Sequence, residues 1–201
     1  MTRANPDAWL KPGLLVGGLV PLVVLIVSAL RGTLGANPIA EVLNQLGLLA
    51  LIFLAASLAA TPVKRLFGVV ELARVRRMLG LFAFFYASLH LLTYALLDRF
   101  GELGTLLQDL AKRPFISVGF LAWLLLLPLA ITSTRGMMKR LGFARWQRLH
   151  RLSYLAALLA VVHFIWRVKK DASEPLAYGA VILVLLATRV YTWLHRPARP
   201  S

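Results

Sequence analysis

The sequence predicts an all-α integral membrane protein, a bundle of six transmembrane helices with both termini on the cytoplasmic side. Three observations lead there. Of the 201 residues 59% are apolar, and the mean hydropathy of +0.74 is far outside the range of soluble domains. Apolar windows free of charge recur six times. The basic residues between them are unevenly shared between the two sides.

A hydrocarbon core of about 30 Å needs about 20 apolar residues as helix. Pro12 to Leu30, Leu43 to Thr61, Met78 to Leu97 and Pro114 to Thr134 meet that length without a charge. Leu152 to Trp166 and Pro175 to Thr188 are shorter. Their flanking arginines can snorkel, and Trp166, Tyr191 and Trp193 suit the membrane interface. The chain therefore reads as one transmembrane domain over 1–201, with spans at approximately 10–30, 43–62, 78–98, 114–134, 148–168 and 175–194. Pro114 and Pro175 suit a first helical turn, where the missing N–H is unneeded. Pro21 and Pro128 fall inside spans and should kink or unwind them. No repeat, low-complexity tract or soluble domain is visible.

With the N-terminus inside, sixteen of the 23 Lys and Arg fall on the cytoplasmic side and seven on the other. That bias sets N-in, C-in orientation. The first apolar stretch lacks a small-residue cleavage site and reads as a retained span rather than a signal peptide. The net charge of +15 belongs to topology and anionic lipid headgroups, so the partner is the lipid bilayer and not nucleic acid. The absence of cysteine excludes disulfides, cysteine-held clusters and a thiol nucleophile. All eight aspartates and glutamates fall at span ends or in loops, against a proton-coupled transporter. No glycine-rich dinucleotide fingerprint is present.

Histidine carries the functional signal, because a bilayer core penalises an ionisable ring. His90, counted along the third span from Arg77, and His163, counted along the fifth from Arg148, each lie roughly four helical turns in. Both spans run outward, so at a rise of about 1.5 Å per residue the two imidazoles sit at nearly one level beyond the midplane. Such a pair can hold the iron of a b-type haem from opposite faces. Gly80, Ala83 and Ala87 on one span, and Ala156, Ala157 and Ala160 on the other, offer room for a flat cofactor or close helix packing. His150 lies roughly 20 Å below His163 along the helix axis and belongs at the cytoplasmic rim. Its level on the third span offers Arg76 and Arg77, not histidine, so a second symmetric pair is unsupported. His195 is a conceivable partner but reads better as an exposed tail residue. Arg74, Arg76, Arg77, Arg145, Arg148 and Arg151 cluster at the cytoplasmic mouth. Topology explains most of them, yet Arg77, Arg148 and His150 together would suit a flavin phosphate or a quinone headgroup. Trp146 reads as an interface anchor. Outer Arg167, Lys169 and Lys170 could meet haem propionates or an acidic docking partner.

Several segments resemble the MsrQ (YedZ) family of the ferric-reductase-like group. They are Arg76-Arg77 through His90-Leu-Leu-Thr-Tyr94, Lys112-Arg-Pro-Phe115, Thr132-Ser-Thr134, Trp146-Gln-Arg-Leu-His150-Arg-Leu-Ser-Tyr154 and His163-Phe-Ile-Trp166. Gly35-Ala-Asn-Pro38 after the first span adds to them. The resemblance implies a bacterial inner-membrane electron-transfer subunit that binds haem b and FMN and draws electrons from membrane quinones. It implies a periplasmic molybdopterin reductase, MsrP, as acceptor and as the site of methionine sulfoxide reduction. By resemblance His90, His150 and His163 are the family's histidines, with Arg77 where larger relatives carry a fourth. An anion transporter, a structural anchor and a ferric reductase acting on small-molecule iron are the competing readings.

Overall fold

The computed structural model describes residues 7–168 and 171–195, which form helices joined by short turns. Lys169, Lys170, Arg3, Arg196 and Arg199 lie outside the described residues, and nothing is described of the Trp193 side chain. The helices are α1 (Asp7–Leu30), α2 (Pro38–Phe67), α3 (Glu71–Thr93), α4 (Leu103–Lys112), α5 (Pro114–Ile131), α6 (Arg135–Leu141), α7 (Phe143–Leu149), α8 (Leu152–Arg167) and α9 (Ser173–Leu194). A π-helical turn, Tyr94–Asp98, extends α3.

Six stretches are long and apolar enough to cross a membrane: Trp9–Leu30, Pro38–Phe67, Glu71–Asp98, Pro114–Ile131, Phe143–Arg167 and Ser173–Thr192. Large apolar side chains on α1 and α9, such as Val16, Val24, Leu183 and Val184, are more than half exposed. Such faces suit lipid, and a helix satisfies its own backbone polar groups there. The helix ends follow local chemistry. Asn37 caps α2 by accepting from the Ala40 N–H at 3.1 Å, Pro38 takes the first turn, and Gly68 closes the helix in the left-handed region at φ 69°. Neither Pro21 nor Pro128 unwinds its span, and α1 and α5 continue through both as helix.

Two hairpins dominate the packing, α2 on α3 and α5 on α8. Between and around them Leu51, Leu54, Leu58, Ala83, Leu126, Leu129, Ala156, Ala157, Val161 and Ile182 form the main core. A second cluster seats α1 on α2 and α3. There Phe53 stacks on Phe82 and Tyr86, and the Tyr86 hydroxyl donates to the Gly18 carbonyl at 2.5 Å. Alanine at the crossings lets backbones approach closely, which is how helices associate without a hydrophobic drive from lipid.

Candidate functional site

A cavity of about 640 Å³ opens between the two hairpins, within the size range of cofactor pockets. His90 from α3 and His163 from α8 both line it. Their ring centroids stand 6.1 Å apart with the planes at 85°. Each Nδ1 bonds a backbone carbonyl of the neighbouring helix, Leu43 on α2 at 2.9 Å for His90 and Phe115 on α5 at 2.6 Å for His163. A carbonyl only accepts, so the proton of each imidazole sits on Nδ1 and the Nε2 lone pair is left free. That is the tautomer a metal-ligating histidine needs, with its other nitrogen donating to an oriented acceptor. Metal–imidazole bonds run about 2 Å. A metal bonded to both rings would separate their centroids by about 6 Å, so His90 and His163 are the residues that would hold a haem iron.

Glycine makes the space for each ring. A Cβ on Gly47 would lie 3.2 Å from His90 Nδ1, and one on Gly119 would lie 2.6 Å from His163 Nδ1. Each glycine follows its helix's accepting carbonyl by one turn, Leu43 then Gly47 and Phe115 then Gly119. The pattern extends along both hairpins. Every α2 residue lining the cavity, from Leu43 to Leu54, has its counterpart 72 positions later on α5, from Phe115 to Leu126. Between them lie the matched pairs Asn44 and Ile116, Gly47 and Gly119, Ala50 and Ala122. On α3 and α8 the offset is 73, matching Ala87 with Ala160, His90 with His163, and Tyr94 with Arg167. The cavity is thus walled by two hairpins in the same register, a repeat that sequence inspection did not reveal. The one-residue change of offset and the substituted pairs hide it.

At the end of the cavity beyond the histidines, labelled outer after the orientation expected from the sequence, α4 contributes Leu103, Leu106, Leu107 and Leu110 to the wall. This helix, unanticipated from sequence, is clamped by Asp109. That buried carboxylate accepts from the Tyr94 hydroxyl at 2.5 Å, Arg99 Nε at 2.8 Å and Arg113 Nε at 2.9 Å. The Tyr94 hydroxyl, with Asp98 and Asp109, holds the Arg99 guanidinium charged above its ordinary range. Arg167 lines the cavity too and donates through Nη1 to Asn44 Oδ1.

His150 is elsewhere. It caps α7 at the turn before α8, half-buried, and its ring stacks on Trp146 at 4.0 Å. Thr132 spends its hydroxyl proton on the Pro128 carbonyl at 2.6 Å, so at 3.2 Å its oxygen accepts from His150 Nε2. His150 therefore carries its proton on the opposite nitrogen from the outer pair. Trp146 donates through Nε1 to the Thr132 carbonyl at 3.0 Å and holds this corner together. Arg77 and Arg148 are exposed, and neither reaches the cavity. Arg76 is the one turned inward, its Nη1 3.5 Å from Thr61 Oγ1. Arg189, expected to flank the last span, is partly buried and donates to the Leu58 carbonyl at 3.2 Å over the Tyr154 ring. His195 is exposed, with Nδ1 3.0 Å from the Tyr191 carbonyl.

The model of the ferric reductase like transmembrane component family matches residues 44–161, the stretch that spans both hairpins almost to His163. Among curated relatives, a protein of Deinococcus radiodurans is 51% identical across 98% of both chains. One from Rhodospirillum rubrum is 51% identical over 90% of this chain and 87% of its own. One from Herminiimonas arsenicoxydans is 47% identical over 93% and 87%. All three are described as the protein-methionine-sulfoxide reductase heme-binding subunit MsrQ. Identity of this extent, over six membrane-crossing helices, places the chain in the MsrQ family of ferric-reductase-like transmembrane proteins.

Proposed function

We propose that this protein is a b-type cytochrome of the bacterial inner membrane that carries electrons from the quinone pool to a periplasmic reductase. The observation that carries the reading is the pair His90 and His163, each fixed by a backbone carbonyl and facing one cavity at 6.1 Å. The relatives' description as heme-binding subunits supports the same cofactor.

When bound, haem b supplies a one-electron carrier at the depth of these two rings. The chain's own contribution is to position and insulate it. Leu43 and Phe115 orient the imidazoles and raise their basicity through the Nδ1–H bonds. Leucine, alanine and aromatic walls exclude water, and the Asp109 clamp keeps α4 over the outer part of the cavity. We assign the exposed Arg77 and Arg148, with His150 two residues after the latter, to FMN or quinone binding at the inner mouth, where guanidinium groups suit phosphate and carbonyl oxygens. N-in, C-in orientation, supported by the segregation of Lys and Arg, puts the histidine cavity in the outer half. Electrons then leave toward the periplasm, to a molybdopterin enzyme of the MsrP type that reduces protein methionine sulfoxide.

A pyridine haemochrome assay with flavin extraction on the purified protein tests the reading. Haem b at a fixed ratio to protein, reducible by a quinol analogue in membrane vesicles, is expected. A colourless protein that still supports quinol-dependent methionine sulfoxide reduction would overturn it.

A further inference from the structure

We propose that Arg167, braced by Asn44, is the carboxylate-binding subsite of the cavity, and that it fixes which way the propionate edge of the haem points. The proposal rests on the haem reading above and adds the orientation of the cofactor to it.

The argument starts from the repeat. Walls in matched register present similar surfaces from both sides. Repeated positions therefore discriminate poorly between a planar ligand and the same ligand turned over, with its two faces and its two side edges exchanged. Only positions where the hairpins differ can choose. Two such positions differ in polarity at the end of the cavity beyond the histidines, Tyr94 against Arg167 and Ile116 against Asn44. On one side the repeat thus gives a cation with a polar neighbour, hydrogen-bonded to each other. On the other it gives an apolar side chain and a phenol already committed to Asp109 at 2.5 Å.

The charges favour the same edge. Among the described residues Arg167 makes no ion pair, whereas Arg99 and Arg113 each place Nε on Asp109, at 2.8 and 2.9 Å. On the Tyr94 side Arg99 and Arg113 also line the cavity, but Asp98 and Asp109 already balance their charge and engage their Nε atoms, so that edge offers a carboxylate no uncompensated cation. Arg167 lies one helical turn beyond His163, so both side chains share the cavity face of α8. With Glu174 beyond ion-pair distance, the partly desolvated Arg167 guanidinium has no carboxylate in direct contact, and one accepting its paired N–H groups offsets the cost of burying the charge. Because Asn44 Oδ1 accepts from Arg167, the Asn44 amide NH₂ remains free to donate to the same carboxylate. The pair is therefore an acceptor-binding fork preset before a ligand arrives.

Four variants of the full-length, haem-loaded protein test this: Arg167→Gln, Arg167→Lys and Asn44→Ala, with Arg113→Gln as the control. The readouts are haem content, the propionate-bending band in the resonance Raman spectrum, and the midpoint potential. Arg167→Gln should keep the haem, because both histidines remain, yet displace the propionate band. Loss of the nearby positive charge should favour the ferric state about tenfold at fixed potential, about 59 mV for one electron. Arg167→Lys should restore the potential and return the band part of the way. Asn44→Ala should displace the band by less, and it keeps the test open if Arg167→Gln does not fold. A propionate band unmoved in a haem-loaded Arg167→Gln or Asn44→Ala protein would overturn the proposal. So would an Arg113→Gln variant that moves the band as far as Arg167→Gln. Wild-type protein that binds no haem would instead remove the functional reading on which it stands.

Discussion

The outer and inner halves of the two hairpins are built on one register but have diverged to different degrees. In the outer half the repeat is kept at the chemistry-bearing positions. Two carbonyls, two glycines and two histidines recur at the shared offsets and converge on one cavity. In the inner half the same offset pairs Arg77 with His150. Arg77 faces outward from an unbroken α3, whereas the turn between α7 and α8 swings His150 in toward Thr132. The lesson is that side-chain identity alone does not make a paired site. Each ring also needs an acceptor for Nδ1, a gap to stand in, and a helix that aims it.

The strongest way to break this comparison is to remove one outer ring. His90→Ala or His163→Ala should each reduce bound haem at least about tenfold, since loss even of the groups that orient a metal ligand costs about 10–100-fold. Haem-to-protein ratio by pyridine haemochrome checks it. Intact spectra in both variants would rule out this ligand pair. His150→Ala should retain most of the outer haem, because its ring neither lines that cavity nor shares its acceptors.

The cradle itself supplies the next effect. Overfilling a packed site costs about 1–3 kcal/mol, and the two glycines differ in how little room they leave. A methyl at Gly119 would stand 2.6 Å from His163 Nδ1 against 3.2 Å for Gly47 and His90. Gly119→Ala should therefore displace its ring and lower haem occupancy, while Gly47→Ala should be milder. Equal losses would mean that the glycines serve helix packing rather than ring placement.

Much of this was legible in the sequence. Hydropathy gave the six crossing helices, since charge-free length is what a bilayer selects. Depth matching brought His90 and His163 together, since the constant rise of a helix is all the calculation needs. The rest left no such trace. A backbone carbonyl has no letter, so Leu43 and Phe115 could not be seen as acceptors. Gly47 and Gly119 are two glycines among 14, and only their common distance from Leu43 and Phe115 marks them. The small α4 helix is held by Asp109, whose partners Tyr94, Arg99 and Arg113 come from three different segments.

That clamp gives a moderate effect outside the paired region. Asp109→Ala strips the partner from two guanidinium groups and a phenol at once. Hydrogen bonds to charged groups contribute about 1.5–3 kcal/mol each when buried, but Arg99 and Arg113 are 23% and 47% exposed and remain partly solvated. A net loss of about 1–2 kcal/mol is expected, seen as a lower Tm of the detergent-solubilised protein and faster haem loss to an external acceptor. Unchanged haem retention would show that α4 does not confine the cavity.

The smallest effect is the sharpest test of what the repeat requires. Arg77→His restores histidine at the position paired with His150, so an argument from sequence symmetry alone would expect an added haem. The structure leads to the opposite expectation. A histidine there sits on the same continuous helix as His90, about 220° around it from the cavity-facing stripe. The α3 backbone has no turn to bring it inward, as the α7–α8 turn does for His150. His150 in turn is occupied, donating from Nε2 to Thr132 and stacked on Trp146. Arg77→His should thus leave the haem-to-protein ratio at the parent value. A ratio that rises by one haem would show that the inner half keeps enough of the outer half's geometry to be refilled by a single ring.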